Sequence, residues 1–313
     1  MQQPSRHTRT CYNMRLLLPR ANKQVYTRGV LGLLVSLILI LTSVAFAKPK
    51  RIVSLNLCTD SMLLELADRE HIASITYLSL SPEVSYLVDK ARGLHVNHGL
   101  AEEVIPLVPD LVLAGRVTTR PTTALLQRLG YKVLVFDPVD SLPTLRANLR
   151  RVAEAIGEMA RAERLIASMD ARIRRVRADA ASYRPLAVVF RADGFTVGRR
   201  SLINDILVAA GLRNLSAELG TESVGYLPLE SLVMAGPQLI IFGSFKPRYP
   251  SLAHELLGHR ALRAMLHLRQ STSQRTSMVV PTRLWACEGT FVAEAVERLA
   301  AERARLAREH VSQ

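Results

Sequence analysis

One pattern occurs twice in this chain. Glu102-x6-Pro109-Asp110-Leu111-Val112-Leu113-Ala114-Gly115 is echoed by Glu230-x6-Pro237-Gln238-Leu239-Ile240-Ile241-Phe242-Gly243. In both, a Glu opens a helical stretch, a Pro stops it, and an uninterrupted apolar run closes on Gly. A short apolar run between such breakers reads as a strand buried on both faces. The two copies predict two halves built alike. Between them lies EMARAERLIASMDARIRRVRADA, residues 158–180, with Met159, Ala162, Ile166, Met169, Ile173 and Val176 at steps of three and four. That is one face of a helix about 35 Å long at 1.5 Å per residue. Gly157 separates it from a helix over 141–156, capped by Ser141 with Pro143 in the first turn, and Tyr183-Arg184-Pro185 stops it.

Elsewhere strands and helices alternate. Strands are expected at 51–55, 72–77, 110–114, 132–136, 186–190, 239–242 and 277–280, with a return of the chain through 194–198. Helices are expected at 61–67 (capped by Thr59-Asp60), 84–91, 101–108, 122–129, 201–210, 229–235, 253–265 and 291–306. Such alternation predicts parallel βαβ units. At 313 residues the chain is long enough for two lobes, each with its own core. The expected fold class is α/β, two Rossmann-like lobes joined by a single long backbone helix, with a ligand cleft between them at the carboxyl ends of the strands. The boundaries fall at 48–156 for the first lobe, 157–181 for the connecting helix and 182–313 for the second lobe.

Residues 1–47 read differently. Arg15, Arg20, Lys23 and Arg28 precede GVLGLLVSLILILTSV, and Ala45-Phe46-Ala47 follows. A basic region, an apolar region and a small-x-small site make a secretory signal peptide cut near Ala47, and the periplasm is the expected location. An uncleaved anchor is the alternative, since the apolar run approaches spanning length. No Cys follows the cut directly, so no lipid anchor is expected there. These 47 residues hold six Lys or Arg and no acid, leaving 35 bases against 27 acids, a formal +8, on the remainder. The arginines of that remainder (Arg172, Arg174, Arg175, Arg177; Arg298, Arg303, Arg305, Arg308) are interleaved with acids on helices. They read as solvated faces, and no nucleic-acid partner is expected.

In this order the segments RIVSLNLCTD, EEVIPLVPDLVLAG, the single helix, SLINDILVAAGLRNL and LPLESLVMAGPQLIIFG resemble the class III periplasmic solute-binding proteins of ABC importers, over about residues 51–299. The resemblance implies capture of an iron chelate (siderophore or haem) or a cobalamin-type corrinoid, and delivery to a permease dimer with its ATPase subunits. It also implies a monomer, no cofactor of its own, and a small closing motion about one stiff helix. In such proteins one surface glutamate per lobe docks onto permease arginines, and Glu102 and Glu230 occupy the matching positions. The other account of both is the helix dipole, which favours acids in a first turn.

Cleft residues are expected on loops after strands: Asn56, Cys58, Thr59, Tyr77, Ser79 and Arg116 in the first lobe. In the second they are Arg191, Asp193, Phe195, Ser244, Phe245, Arg283, Trp285 and Cys287. Three arginines there point to an anionic ligand, since a guanidinium grips a carboxylate in a fork. Trp285, Tyr77 and Phe195 offer stacking surfaces; Trp285 reads equally well as a core residue. Cys58 and Cys287 fall on opposite lobes. A permanent bond between them would tie the lobes together against a cycle of capture and release, so free thiols near the ligand are the expectation.

A binding protein for a bare zinc or manganese ion is the alternative. His95 and His98 form an i, i+3 pair and His254, His259 and His267 lie in the second lobe. The His95–His98 stretch reads as a loop away from any strand end. No nucleophile elbow, zinc-protease helix, phosphate loop or dinucleotide fingerprint is present, so no enzyme is expected, and an exported enzyme on the same two-lobed scaffold is the remaining alternative. Asp137-Pro138 and Asp140 supply carboxylates without a partner fixed by spacing.

Overall fold

The apolar runs of the first half become a five-stranded parallel sheet: β1 (Ile52–Ser54), β2 (Ile72–Thr76), β3 (Val96–Asn97), β4 (Leu111–Gly115) and β5 (Val133–Phe136). The order is β3-β2-β1-β4-β5. The structure is a computed structural model that describes residues 48–178, 183–243, 256–270, 276–287 and 289–311. In the second half come β6 (Leu186–Val189), β7 (Phe195–Val197), β8 (Arg213–Asn214), β9 (Val224–Tyr226), β10 (Leu239–Gly243) and β11 (Thr276–Val280). Four of these make a parallel sheet in the order β11-β10-β6-β8, and β7 and β9 pair antiparallel. The helices are α1 (Leu57–Leu66), α2 (Val88–Ala91), α3 (Ala101–Val104), α4 (Arg120–Arg128), α5 (Leu142–Ile156), α6 (Met159–Ala178), α7 (Leu202–Ala209), α8 (Leu215–Glu218), α9 (Leu229–Ala235), α10 (Arg260–Gln270) and α11 (Val292–Val311).

The echoed runs are the central strands. Leu111 to Ala114 are fully buried, as are Leu239 and Ile241, because helices cover both faces of a parallel sheet. β1 runs beside β4 with Ile52 opposite Leu111, and β6 beside β10 with Ala187 opposite Leu239. In each sheet the strand order reverses between these two partners. The opening just beyond their carboxyl ends is where such sheets hold ligands.

Between the sheets, Ser141 accepts from the Thr144 N–H at the start of α5, and Gly157, in the left-handed region at φ 73°, ends it. α6 then buries Ala162, Ile166, Met169 and Ile173, the face its spacing predicted. Met159 is 40% exposed and lies outside that face.

The expectation of a separate core for each lobe is corrected. The largest apolar cluster is continuous from Ile52, Leu63 and Leu145 through Ile166 and Ile173 to Ile206, Val296 and Leu299. The reason is that α11 lies along both α6 and α7, so the helices between the sheets share one interior. Each sheet also has a smaller cluster on its other face, around Val53 and Val112 in the first and Val188 and Ile240 in the second.

Other elements also differ from the sequence expectation. α1 begins at Leu57, not 61, because Asn56 rather than Thr59-Asp60 supplies the cap. The stretch 84–91 forms helix only over Val88–Ala91. α10 begins at Arg260, and residues 253–255 of the helix expected over 253–265 lie outside the described residues. β3, β8 and β9 were not anticipated, since two or three residues carry no readable periodicity. The expected return through 194–198 is present, since Asp193 and Gly194, both at positive φ, turn the chain and Arg191 N–H donates to the Phe195 carbonyl at 2.9 Å, but the strand so formed, β7, pairs with β9. Arg303 is buried against Gly211 rather than on a solvated face.

Candidate ligand-binding site

A cavity of about 380 Å³ opens at the first of the two strand-order reversals. Its walls are the β1–α1 loop, the turns after β4 and β5, the start of α7 (Ser201, Leu202, Ile203) and the segment Trp285-Ala286-Cys287. Both halves therefore contribute. The size falls within the range of small-molecule sites, and most of the lining is apolar, from Leu57, Leu78, Val117, Phe136, Val139 and Trp285 among others.

Asn56 organises the first wall. Its Oδ1 accepts from the Cys58 and Thr59 N–H groups, each at 2.9 Å, capping α1. Its Nδ2 donates to Thr118 Oγ1 at 3.2 Å. The echoed glycine makes this possible: a Cβ on Gly115 would lie 2.2 Å from Asn56 Nδ2. Thr59 is buried, its hydroxyl bonded to Ser54 Oγ at 2.7 Å. Arg116 forms an ion pair with Asp137 at the rim, with both side chains 62% exposed.

Cys58 and Cys287 are joined by a disulfide, with Cα atoms 4.6 Å apart. The expectation of free thiols is corrected: the first turn of α1 and the segment 285–287 meet at the cavity wall. Trp285 is 2% exposed, and its Nε1 has no hydrogen-bond partner among the described residues. It serves the core and the cavity wall at once.

Several expected site residues lie elsewhere. Tyr77 stacks on His98 at 4.9 Å, 48% exposed and away from the cavity. Ser79 is buried and donates to Asp60 at 2.7 Å. Phe195 meets Tyr226 edge-on in the β7–β9 ribbon, with Asp193 in the turn before it. Arg283 donates to the Pro82 carbonyl at 3.4 Å. Ser244 and Phe245 lie outside the described residues. Arg191 sits at the second reversal, against Gly243, as Asn56 sits against Gly115. Its Nε and one terminal nitrogen are buried without a partner among the described residues, and burial lowers its pKa.

The cavity residues missed by sequence reasoning belong mostly to two stretches. Phe136 ends β5 and Asp137-Pro138-Val139 follows it, where the same strand-end rule would have reached. Ser201, Leu202 and Ile203 open a helix, and only the packing of one half on the other brings them in.

The histidines are dispersed. His95 Nδ1 is 3.3 Å from Ser74 Oγ, His98 pairs with Glu103 at 2.8 Å, and His259 Nδ1 accepts from the Ala261 N–H. The His95–His98 stretch contains β3 and is not the expected loop. His254 lies outside the described residues, as does the side chain of His267. Among the described residues no three His, Cys, Asp or Glu side chains gather to hold a metal ion.

One buried carboxyl supports the first wall. Asp60 accepts from the Thr76 N–H at 3.0 Å and from Ser79, holding the turn after β2 against α1. Burial raises its pKa to about 6, against opposing hydrogen bonds from Ser54, Thr76 and Ser79. Below the unfolded value of 3.8 both states are protonated. As pH rises from there to about 6 only the unfolded state ionises, and stability falls by about 3 kcal/mol. Asp60→Asn lacks this term. Its stability relative to the native chain, from urea unfolding at pH 4 and pH 7, is expected to improve by about that amount. A constant difference would place the proton elsewhere.

Residues 52–269 match the model of the periplasmic binding protein family. The chain belongs to that family. Its curated relatives include a cobalamin-binding protein of Halobacterium salinarum, 27% identical over 243 residues, 75% of this chain and 63% of that protein. An uncharacterized ABC transporter substrate-binding lipoprotein of Bacillus subtilis is 24% identical over 206 residues, 62% of this chain and 63% of the relative. The chain thus spans less than two thirds of the length of these relatives. In fold it resembles a possible iron-binding periplasmic solute-binding protein of Staphylococcus epidermidis, with a TM-score of 0.67, 17% identity, and coverage of 82% of this chain and 98% of that one. The family consists of extracytoplasmic binding proteins rather than enzymes. This periplasmic binding protein therefore has a two-lobed α/β architecture, with a cavity at one of its strand-order reversals.

Proposed function

We propose that this chain captures a metal chelate outside the cytoplasm and delivers it to an ABC permease, without catalysing a reaction and without a cofactor of its own. The cavity carries this reading: both halves line it, and it is largely apolar. Among its described lining residues there is no His, Tyr, Met or free thiol, and the one carboxylate is paired with Arg116. Such a wall suits a chelate whose metal is already fully coordinated. A corrinoid fits better than haem, which gains most from an axial protein ligand. The Halobacterium relative's name supports the same choice. Asn56, Thr59, Arg116 and Trp285 would contact the chelate, and Arg191 would take an anionic substituent.

Residues 1–47 act as a cleavable export signal in this reading, and the mature chain works as a monomer. Delivery runs through Glu102 and Glu230, to a permease dimer driven by ATPase subunits. Both are exposed in the first turns of α3 and α9. The dipole account fits Glu103 better. Its carboxylate accepts from the His98 N–H at 2.6 Å and pairs with the His98 ring, which holds its pKa down. Glu102 is left without that task.

The test is titration of the purified protein with cyanocobalamin, haemin and a ferric catecholate, followed by visible absorption and native mass. Saturable one-to-one binding of cyanocobalamin, with haemin weaker, is expected. Tight zinc or manganese binding with no chelate binding would overturn the proposal.

A further inference from the structure

The disulfide is not alone in bridging the halves. Glu65, on α1, accepts from Thr290 N at 3.0 Å and from Thr290 Oγ1 at 2.6 Å. Tyr86 donates to Glu294 at 2.8 Å and stacks on Phe291 at 4.6 Å. Arg283 reaches Pro82. One segment of the second half, 283–294, is thus fastened along the first half, and only one fastener in that seam is covalent.

We propose that the Cys58–Cys287 bond is a thiol–disulfide exchange site for a dithiol, and that its state sets how firmly the cavity wall is held. Three observations carry this. Both cysteines line the cavity, so a reagent entering the cleft meets the bond. Cys58 is half-buried while Cys287 is 7% exposed, which directs attack to the Cys58 sulfur. Cys58 also lies at the start of the ten-residue helix α1, whose N-terminus stabilises a thiolate.

The exchange balances. A thiolate of the incoming dithiol attacks Cys58 Sγ, a new S–S bond forms, and Cys287 leaves as thiolate and takes a proton. The second thiol then attacks the mixed disulfide, and Cys58 leaves in turn. The dithiol is oxidised to a disulfide, and the protein bond is reduced to two thiols. The wall then rests on the Glu65, Tyr86 and Arg283 contacts, each able to break and re-form. A ligand seated in the cavity covers the bond and slows its exchange; that last consequence rests on the proposed function, whereas the loosening does not.

The experiment uses the full chain in a Cys11→Ser background, so that only Cys58 and Cys287 count as thiols. Native protein is treated with dithiothreitol and alkylated, its mass is read, and hydrogen exchange is followed without ligand in peptides covering 55–66 and 285–292. Two alkyl groups are expected after dithiol and none before, with amide exchange in these peptides at least tenfold faster in the reduced protein. Cys58→Ser/Cys287→Ser should match the reduced form and ignore dithiol. Exchange unchanged by reduction, or a bond that resists dithiol until the protein unfolds, would overturn the proposal. A variant that fails to fold leaves the reduced native chain as the deciding sample. A second arm compares the reduction rate with and without saturating cyanocobalamin, expecting at least fivefold slowing. If the first arm succeeds and cyanocobalamin neither binds nor protects, the ligand reading fails and the exchange site stands.

Discussion

Glu102→Lys/Glu230→Lys is expected to reduce uptake of bound chelate by at least about 100-fold, because on the proposed docking role two charge pairs become two repulsions. Chelate affinity should stay within about twofold, since neither residue lines the cavity. The measurement is transport into cells or vesicles carrying the cognate permease, beside a binding titration of the same samples. Glu103→Lys is the informative control. It removes the acceptor of the His98 and Leu100 N–H groups, so it should lower stability while leaving the docking charge in place. Unchanged uptake by the double variant would remove both glutamates from the docking face.

Trp285→Ala should be the most damaging single truncation near the cavity. The side chain is 2% exposed within the shared core, and loss of a buried tryptophan costs about 3–5 kcal/mol. The urea midpoint is expected to fall accordingly, followed by circular dichroism because this is the only tryptophan. Chelate binding should weaken as well, since the same ring forms part of the wall. Trp285→Phe should recover most of the stability. If Trp285→Ala left the midpoint unchanged, the ring would not be part of the core.

The echoed runs made the central strands legible, because a strand covered on both faces is written as unbroken Leu, Ile and Val. The same holds for α6, whose apolar spacing matched its buried face. Of the residues the strand-end rule places in the cleft, Asn56, Cys58, Thr59, Arg116, Trp285 and Cys287 line the cavity. Tyr77, Ser79, Phe195 and Arg283 do not line it. Those side chains also follow or flank strands, but they are spent on a stack, a buried carboxyl, a ribbon and a carbonyl of the other half. Sequence order gives the loop, not the direction in which a side chain leaves it. The disulfide was disfavoured for a functional reason, that a clamshell must open, which says nothing of whether two loops meet. Ser201 to Ile203 were out of reach, because they enter the wall only through the packing of one half on the other.

The shared interior bears on how the chain comes into being. The apolar face of α6, with Ala162, Ile166 and Ile173, is completed by Val296 and Leu299 of α11, more than a hundred residues later in the chain. During synthesis and passage across a membrane, the first half emerges with that face uncovered. Until α11 arrives it is exposed apolar surface, of the kind that makes a folding intermediate prone to aggregation. α11 therefore acts as the seal on what was made first.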